Sequence, residues 1–228
     1  MRFGLSAIVL SAPLVLAAPA HAESARDLLL SAAFFAPDKA TALARIAQAL
    51  SAADAALKRN PGDADARLQR GLAISYRGKL NRSRGDVMAA LQDFDAAAAA
   101  DPRNAEAQMA IAGWNLGAVI ELGPFVARTL LGARTARGLA ATERSLALAG
   151  DRAAMPALAS LHAIQIDPTD VAGATRLAEI AVRARADTQL DRVLQKQAAI
   201  LLPTLRKGNG KTAAAVAKQL MPFGRLKS

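Results

Sequence analysis

The side chains that most enzymes use for nucleophilic, acid–base or metal chemistry are scarce in this sequence. It contains no cysteine and only two histidines, His21 and His162. A serine-type hydrolase needs a base positioned beside its nucleophile, and a typical structural zinc site needs four nitrogen or sulfur ligands. His162 lies in an apolar segment, which favours a packed or capping histidine over a catalytic one. The inventory predicts that the protein is not an enzyme and uses no metal and no cofactor.

One segment near the end of the chain resembles part of a phosphate-binding loop. Its residues are Gly208-Asn209-Gly210-Lys211-Thr212. The full loop requires another glycine where Leu205 stands and a strand in front of it, whereas residues 187–206 have a helical pattern. A turn between two helices explains the segment better.

The charged residues indicate a preference for anionic partners. The formal net charge is +10, which favours lipid head groups, acidic polymers or acidic proteins. The basic residues fall into two stretches, Arg77 to Arg84 and Arg128 to Arg137. The second stretch adjoins Phe125, Leu130 and Leu131, so it could form an amphipathic surface helix that meets an anionic membrane or an acidic partner. A solvent-exposed arginine face without a partner is the alternative. The predicted basic surface consists of Arg77, Lys79, Arg82, Arg84, Arg128, Arg134 and Arg137.

The first residues have the layout of a secretory signal peptide. Arg2 precedes an apolar run from Leu5 to Ala18, and Ala20-His21-Ala22 follows with small residues before the expected cleavage site. A membrane anchor is the alternative, but crossing a bilayer takes about 20 apolar residues and this run is shorter and contains Pro13. We expect residues 1–22 to be removed near Ala22, which leaves residues 23–228 in the periplasm or secreted. Export makes nucleic acid an unexpected partner.

The mature chain has the composition of an all-α protein. Alanine and leucine dominate, and both lose little side-chain entropy in a helix. Gly123-Pro124 and Gly208-Asn209-Gly210 are the strongest breaks. The predicted helices cover residues 24–35, 38–59, 64–77, 86–100, 105–121, 124–148, 153–166, 169–184, 187–206 and 211–221.

The breaks between helices follow a repeated residue pattern. Asn60-Pro61 leads into Asp63, Asp101-Pro102 leads into Asn104, and Asp167-Pro168 leads into Asp170. Proline disfavours helical geometry in the residue before it, and Asp or Asn two residues later can cap the next helix. Small residues follow at Gly71, Ala112 and Ala178, where they would let a paired helix approach closely.

These residues resemble the tetratricopeptide repeat (TPR) family, which places small residues at fixed positions in both helices and a proline at the end of each unit. The best unit, 64–102, needs an insertion near Gly78 to Arg84, and it departs from the family at Arg67 and Arg70. Degenerate units cover 24–61, 105–150 and 153–221. The matching residues are Leu68, Gly71, Tyr76, Ala90, Phe94, Ala97 and Pro102.

The resemblance implies a right-handed α-solenoid of antiparallel helix pairs, with about ten helices and a concave groove that binds a protein or peptide. For Trp114, both groove and core positions remain open, because tryptophan suits either. The alternative functions are a basic peripheral envelope protein on anionic lipid or cell-wall polymer, and a small-ligand pocket between helices. The predicted groove consists of Asp65, Leu68, Leu72, Ser75, Glu106, Met109, Gly113 and Trp114.

Overall fold

The computed structural model describes residues 24–226, and within that range the chain is helical. This confirms the predicted all-α class; the only strand-like feature there is one isolated bridge between Arg152 and Arg185. The predicted signal peptide, 1–22, lies outside the described residues. The helices are α1 (Ala25–Phe35), α2 (Lys39–Arg59), α3 (Ala64–Asn81), α4 (Arg84–Ala100), α5 (Ala105–Leu122), α6 (Pro124–Leu131), α7 (Thr135–Leu148), α8 (Ala154–Ile166), α9 (Val171–Arg183), α10 (Gln189–Arg206) and α11 (Gly210–Leu220).

The predicted caps begin three of these helices. Asp63 accepts a hydrogen bond from the Ala66 N–H at 2.9 Å, and Asn104 accepts one from Ala107 at 3.0 Å. Asp170 accepts one from Gly173 at 2.9 Å. Each side-chain oxygen satisfies an amide that the first helical turn leaves unpaired, so the sequence determines where α3, α5 and α9 start.

The predicted loop between α3 and α4 is mostly helix. α3 continues to Asn81 and α4 begins at Arg84, so only Arg82 and Ser83 form the turn. Arg82 adopts the left-handed conformation at φ 55°, and Ser83 caps α4. The residues that looked inserted therefore lengthen two helices.

The single helix predicted over 124–148 is wrong, because the chain breaks at Gly132. This glycine has φ 72° and ends α6, and α7 begins at Thr135. A left-handed glycine is a common helix C-terminus. Asn115 on α5 holds the link by accepting a hydrogen bond from the Arg134 N–H at 3.0 Å. The described residues thus form eleven helices, one more than expected.

The close approach predicted at Gly71 holds α3 against α4. A Cβ on Gly71 would lie 2.8 Å from the ring of Phe94, which is buried. Ala112 and Ala178, at the matching positions of later helices, are also fully buried. Small residues therefore set the distance between these helices and their neighbours.

α8 is the central helix of the second half of the chain. It packs against α5, α7, α9, α10 and α11. Its buried residues surround the helix and include Met155, Leu161 and Ile164. A helix that is apolar on every side belongs in a core rather than on a surface.

The end of the chain packs against its beginning. The Phe223 N–H donates a hydrogen bond to the Ala33 carbonyl of α1 at 2.8 Å. The Phe223 ring meets Tyr76 of α3 edge to face, with 5.0 Å between ring centroids. α11 leads to this contact from α8, against which it packs. The C-terminal segment therefore joins the first and last parts of the fold.

Candidate binding surfaces

The largest side chains of the predicted groove lie in the core. Leu68 and Met109 are buried, and Trp114 is only 6% exposed. The Trp114 Nε1–H donates a hydrogen bond to the Val87 carbonyl of α4 at 2.7 Å, so its one polar atom is satisfied inside the fold. Of the two positions considered for Trp114, it occupies the core. These three side chains do not line an open groove.

The acidic residues of the predicted groove join helices. Asp65 accepts a hydrogen bond from Arg26 at 2.6 Å, and Glu106 binds both Arg26 and Arg152. Arg152 also contacts the buried Asp191 of α10 at 3.2 Å. Burial acts to lower the pKa of Arg152, but Glu106 and Asp191 outweigh it and raise that pKa. The network ties α1, α3, α5 and α10 together, which is a structural use of these carboxylates.

The remaining groove positions are only partly accessible. Leu72 and Ser75 are half-buried, and Leu72 packs against the apolar core. Gly113 faces His162, since a Cβ on Gly113 would lie 3.6 Å from the imidazole Cε1.

His162 is a buried side chain without a polar partner. It is 3% exposed, and neither ring nitrogen makes a hydrogen bond to any described residue. Burial, aided by the charge of Lys79, lowers the pKa of His162 to about 4. The imidazole is therefore neutral near pH 7. Among residues 24–226 there is no group of three or more His, Asp or Glu side chains that could hold a metal ion.

Much of the predicted basic surface is neutralised by ion pairs. Arg77 forms two 2.8 Å hydrogen bonds with Asp86. Lys79 lies 3.2 Å from Glu121, and Arg137 lies 2.5 Å from Asp95. Arg82 is exposed in the turn after α3. Acidic residues of the same chain thus balance the charges of Arg77, Lys79 and Arg137 at the surface.

Three arginines around α6 keep their charge accessible. Arg84 is exposed, and its Nε donates to the Leu130 carbonyl at 2.9 Å, which places its guanidinium against α6. Arg128 lies on α6 and Arg134 follows it. Both are exposed and form no ion pair with any residue of the described chain.

Three apolar side chains of α6 face away from the fold, and we call them, with Leu122 of α5, the α6 ridge. Phe125 is 81% exposed and Leu130 is 49% exposed, whereas Ala127 is the one buried residue of this helix. α6 packs mainly on α5. Most of its apolar surface is therefore uncovered by the described chain. The ridge consists of Leu122, Phe125, Val126 and Leu130.

The ridge was predicted only in part from sequence. Phe125 and Leu130 were recognised beside the basic residues, but Leu131 is half-buried, and Leu122 and Val126 were missed. The available signal was the run of apolar residues on both sides of Gly123-Pro124, where a surface turn would normally be polar.

No helix within residues 24–226 combines the length and the apolar character needed to cross a membrane. Comparisons of the chain with known family models, curated proteins and solved structures give no match.

Proposed function

We propose that the protein is an exported, TPR-like helical scaffold without catalytic activity that docks on an anionic membrane surface through the α6 ridge. The observation that carries this proposal is the 81% exposure of Phe125 on a helix where Val126 and Leu130 are exposed as well. Single exposed apolar residues are ordinary, but a cluster of them marks an interaction surface.

Charge supports a lipid surface as the occupant. Phe125 and Arg128 lie three residues apart on α6, so they are neighbours on the helix surface. Arg84 and Arg134 add positive charge beside the same helix. Apolar side chains can enter the acyl boundary while nearby arginines meet anionic head groups, each contributing about 1 kcal/mol.

The scaffold itself is proposed to be a right-handed α-solenoid of antiparallel helix pairs. The contacts between consecutive helices and the proline-punctuated caps support a repeat of this type. Export after removal of residues 1–22 is part of the same proposal, because it would bring the protein to an envelope membrane.

A protein or peptide partner in the concave groove is the weaker candidate. Leu68, Met109 and Trp114 are packed inside, and Phe223 already occupies part of the face formed by α1 and α3. A peptide would have to compete with the chain's own C-terminal segment.

Vesicle sedimentation tests the lipid proposal. We expect the protein to bind phosphatidylglycerol vesicles and to be released by salt, since exposed charges are screened within about 8 Å at physiological ionic strength. F125S should weaken binding roughly tenfold or more, because it removes a large apolar side chain from the contact. R128Q combined with R134Q should weaken binding to anionic vesicles by at least roughly tenfold.

Matched variants elsewhere on the surface provide the controls. Ile180 of α9 is 50% exposed and Arg176 is exposed on the same helix, so I180S and R176Q remove an exposed apolar side chain and an exposed arginine away from α6. Both should bind vesicles like the unaltered protein. The proposal fails if F125S and I180S bind equally, or if the unaltered protein does not discriminate phosphatidylglycerol from phosphatidylcholine.

A further inference from the structure

A cleft separates α4 from α7 where both helices lie on α5. Its volume is about 330 Å³, near the lower end for small-molecule sites. Alanines form the walls, with Ala98 and Ala99 on α4 and Ala140 and Ala141 on α7. Ile111 of α5 contributes to the floor. The small side chains leave a slot with an apolar middle and polar ends, which larger residues would have filled.

One end of the slot carries polar groups without partners. Gln108 is only 6% exposed, yet its amide makes no hydrogen bond to a described side chain or backbone group, and the residue lines the cleft. Arg144 lines the cleft too, is exposed, and forms no ion pair with the described residues. The Gln108 amide keeps its contact with solvent only through the cleft, so a ligand in the slot would meet it directly.

The register of α7 on α5 places these two groups at the same end. The Ser145 hydroxyl donates a hydrogen bond to the Ala105 carbonyl at 2.7 Å, while Gly138 lies against Leu116. Gln108 lies about one helical turn after Ala105 on α5, and Arg144 directly precedes Ser145 on α7. The amide and the guanidinium are therefore neighbours at this end of the slot.

An ion pair closes the opposite end. Arg137 of α7 binds Asp95 of α4 at 2.5 Å, and both residues line the cleft. The Arg137 charge is neutralised there, so the Arg144 end is the one that attracts an anion.

We propose that this cleft binds a small monocarboxylic acid with an unbranched apolar chain. The Arg144 guanidinium donates two hydrogen bonds to the carboxylate, and the Gln108 amide N–H donates a third. The chain lies between the alanine walls over Ile111, where it is partly shielded from water. A single guanidinium and one amide match a singly charged head group, and the alanine walls match methylene groups rather than further polar atoms.

Isothermal titration of the full chain with octanoate tests the proposal. We expect octanoate to bind, butanoate to bind at least roughly tenfold more weakly because fewer methylenes are buried, and octan-1-ol to bind at least roughly tenfold more weakly because it has no charge. R144Q should reduce octanoate affinity at least tenfold, whereas R176Q should leave it unchanged. A140L should also reduce affinity, because the larger side chain fills the slot from an exposed wall position.

Several results would overturn the proposal. They are undetectable octanoate binding, equal binding of octanoate and octan-1-ol, or R144Q and A140L variants that are folded by circular dichroism and bind normally. If inorganic phosphate bound the cleft as tightly as octanoate and displaced it, the cleft would be a simple anion site. That result would contradict the apolar part of the assignment. F125S should keep full octanoate affinity, so this site and the α6 ridge are tested separately.

Discussion

His162 illustrates how one buried residue makes the stability of the fold depend on pH. Both of its nitrogens lack partners inside the apolar second half of the molecule, and its pKa is lowered to about 4 from an ordinary value of 6.5. Between these two values the unfolded chain binds a proton that the folded chain does not. Stability therefore falls as pH falls through this window.

We expect the free energy of unfolding to drop by about 2 kcal/mol from His162 alone between about pH 7 and about pH 5. H162L should lack this component and should be at least as stable near pH 7, because it no longer buries unpaired nitrogens. Urea unfolding followed by circular dichroism at both pH values measures the difference. An H162L variant with an unchanged pH dependence would show that folding does not lower the pKa of His162.

At the scale of helix pairs, the contact between Gly71 and Phe94 sets how closely α3 and α4 approach. A methyl group on Gly71 would lie 2.8 Å from the ring, so G71A should destabilise the protein by about 1–3 kcal/mol despite the better helix propensity of alanine. Gly117 of α5 has no atom within 4 Å of an added Cβ, so G117A should stabilise the protein by up to about 1 kcal/mol. Thermal unfolding of the two variants should shift in opposite directions. A shift in the same direction for both would contradict the packing role of Gly71.

The starts of helices were predictable where contacts within a single turn set them. Asp63, Asn104 and Asp170 act as caps through contacts within one turn, so their effect is visible in sequence. The break at Gly132 was missed because a lone glycine is compatible with a helix, and only the Asn115 contact from α5 fixes the following link. Helix ends that depend on another helix cannot be deduced from a local pattern.

At the scale of the whole molecule, the packing of Phe223 on α1 and α3 couples the C-terminal segment to the first helices. F223A should destabilise the entire fold by about 3–5 kcal/mol, the usual result of truncating a buried phenylalanine. F35A is the matched control, because Phe35 is exposed and its removal should have little effect. Chemical denaturation of both variants tests this. Equal midpoints would mean that the C-terminal contact does not contribute to global stability.

Packing between distant parts of the chain also explains why the candidate site was harder to predict than the helices. Leu68 and Met109 were assigned to a groove by their register in a repeat, but their exposure depends on which later helices cover them. Phe125 was recognisable as apolar, yet its exposure follows from α6 packing mainly on α5. Burial of this kind is a property of long-range packing, which spacing along the chain does not determine.

The most direct measurement of lipid docking exploits the absence of cysteine from the chain. F125C and I180C each introduce a single thiol at an exposed position, and each can carry an environment-sensitive fluorophore. On addition of phosphatidylglycerol vesicles, we expect a blue shift from the label at position 125 and none from the label at position 180. Equal shifts at both positions, or no shift at position 125, would contradict docking through the α6 ridge.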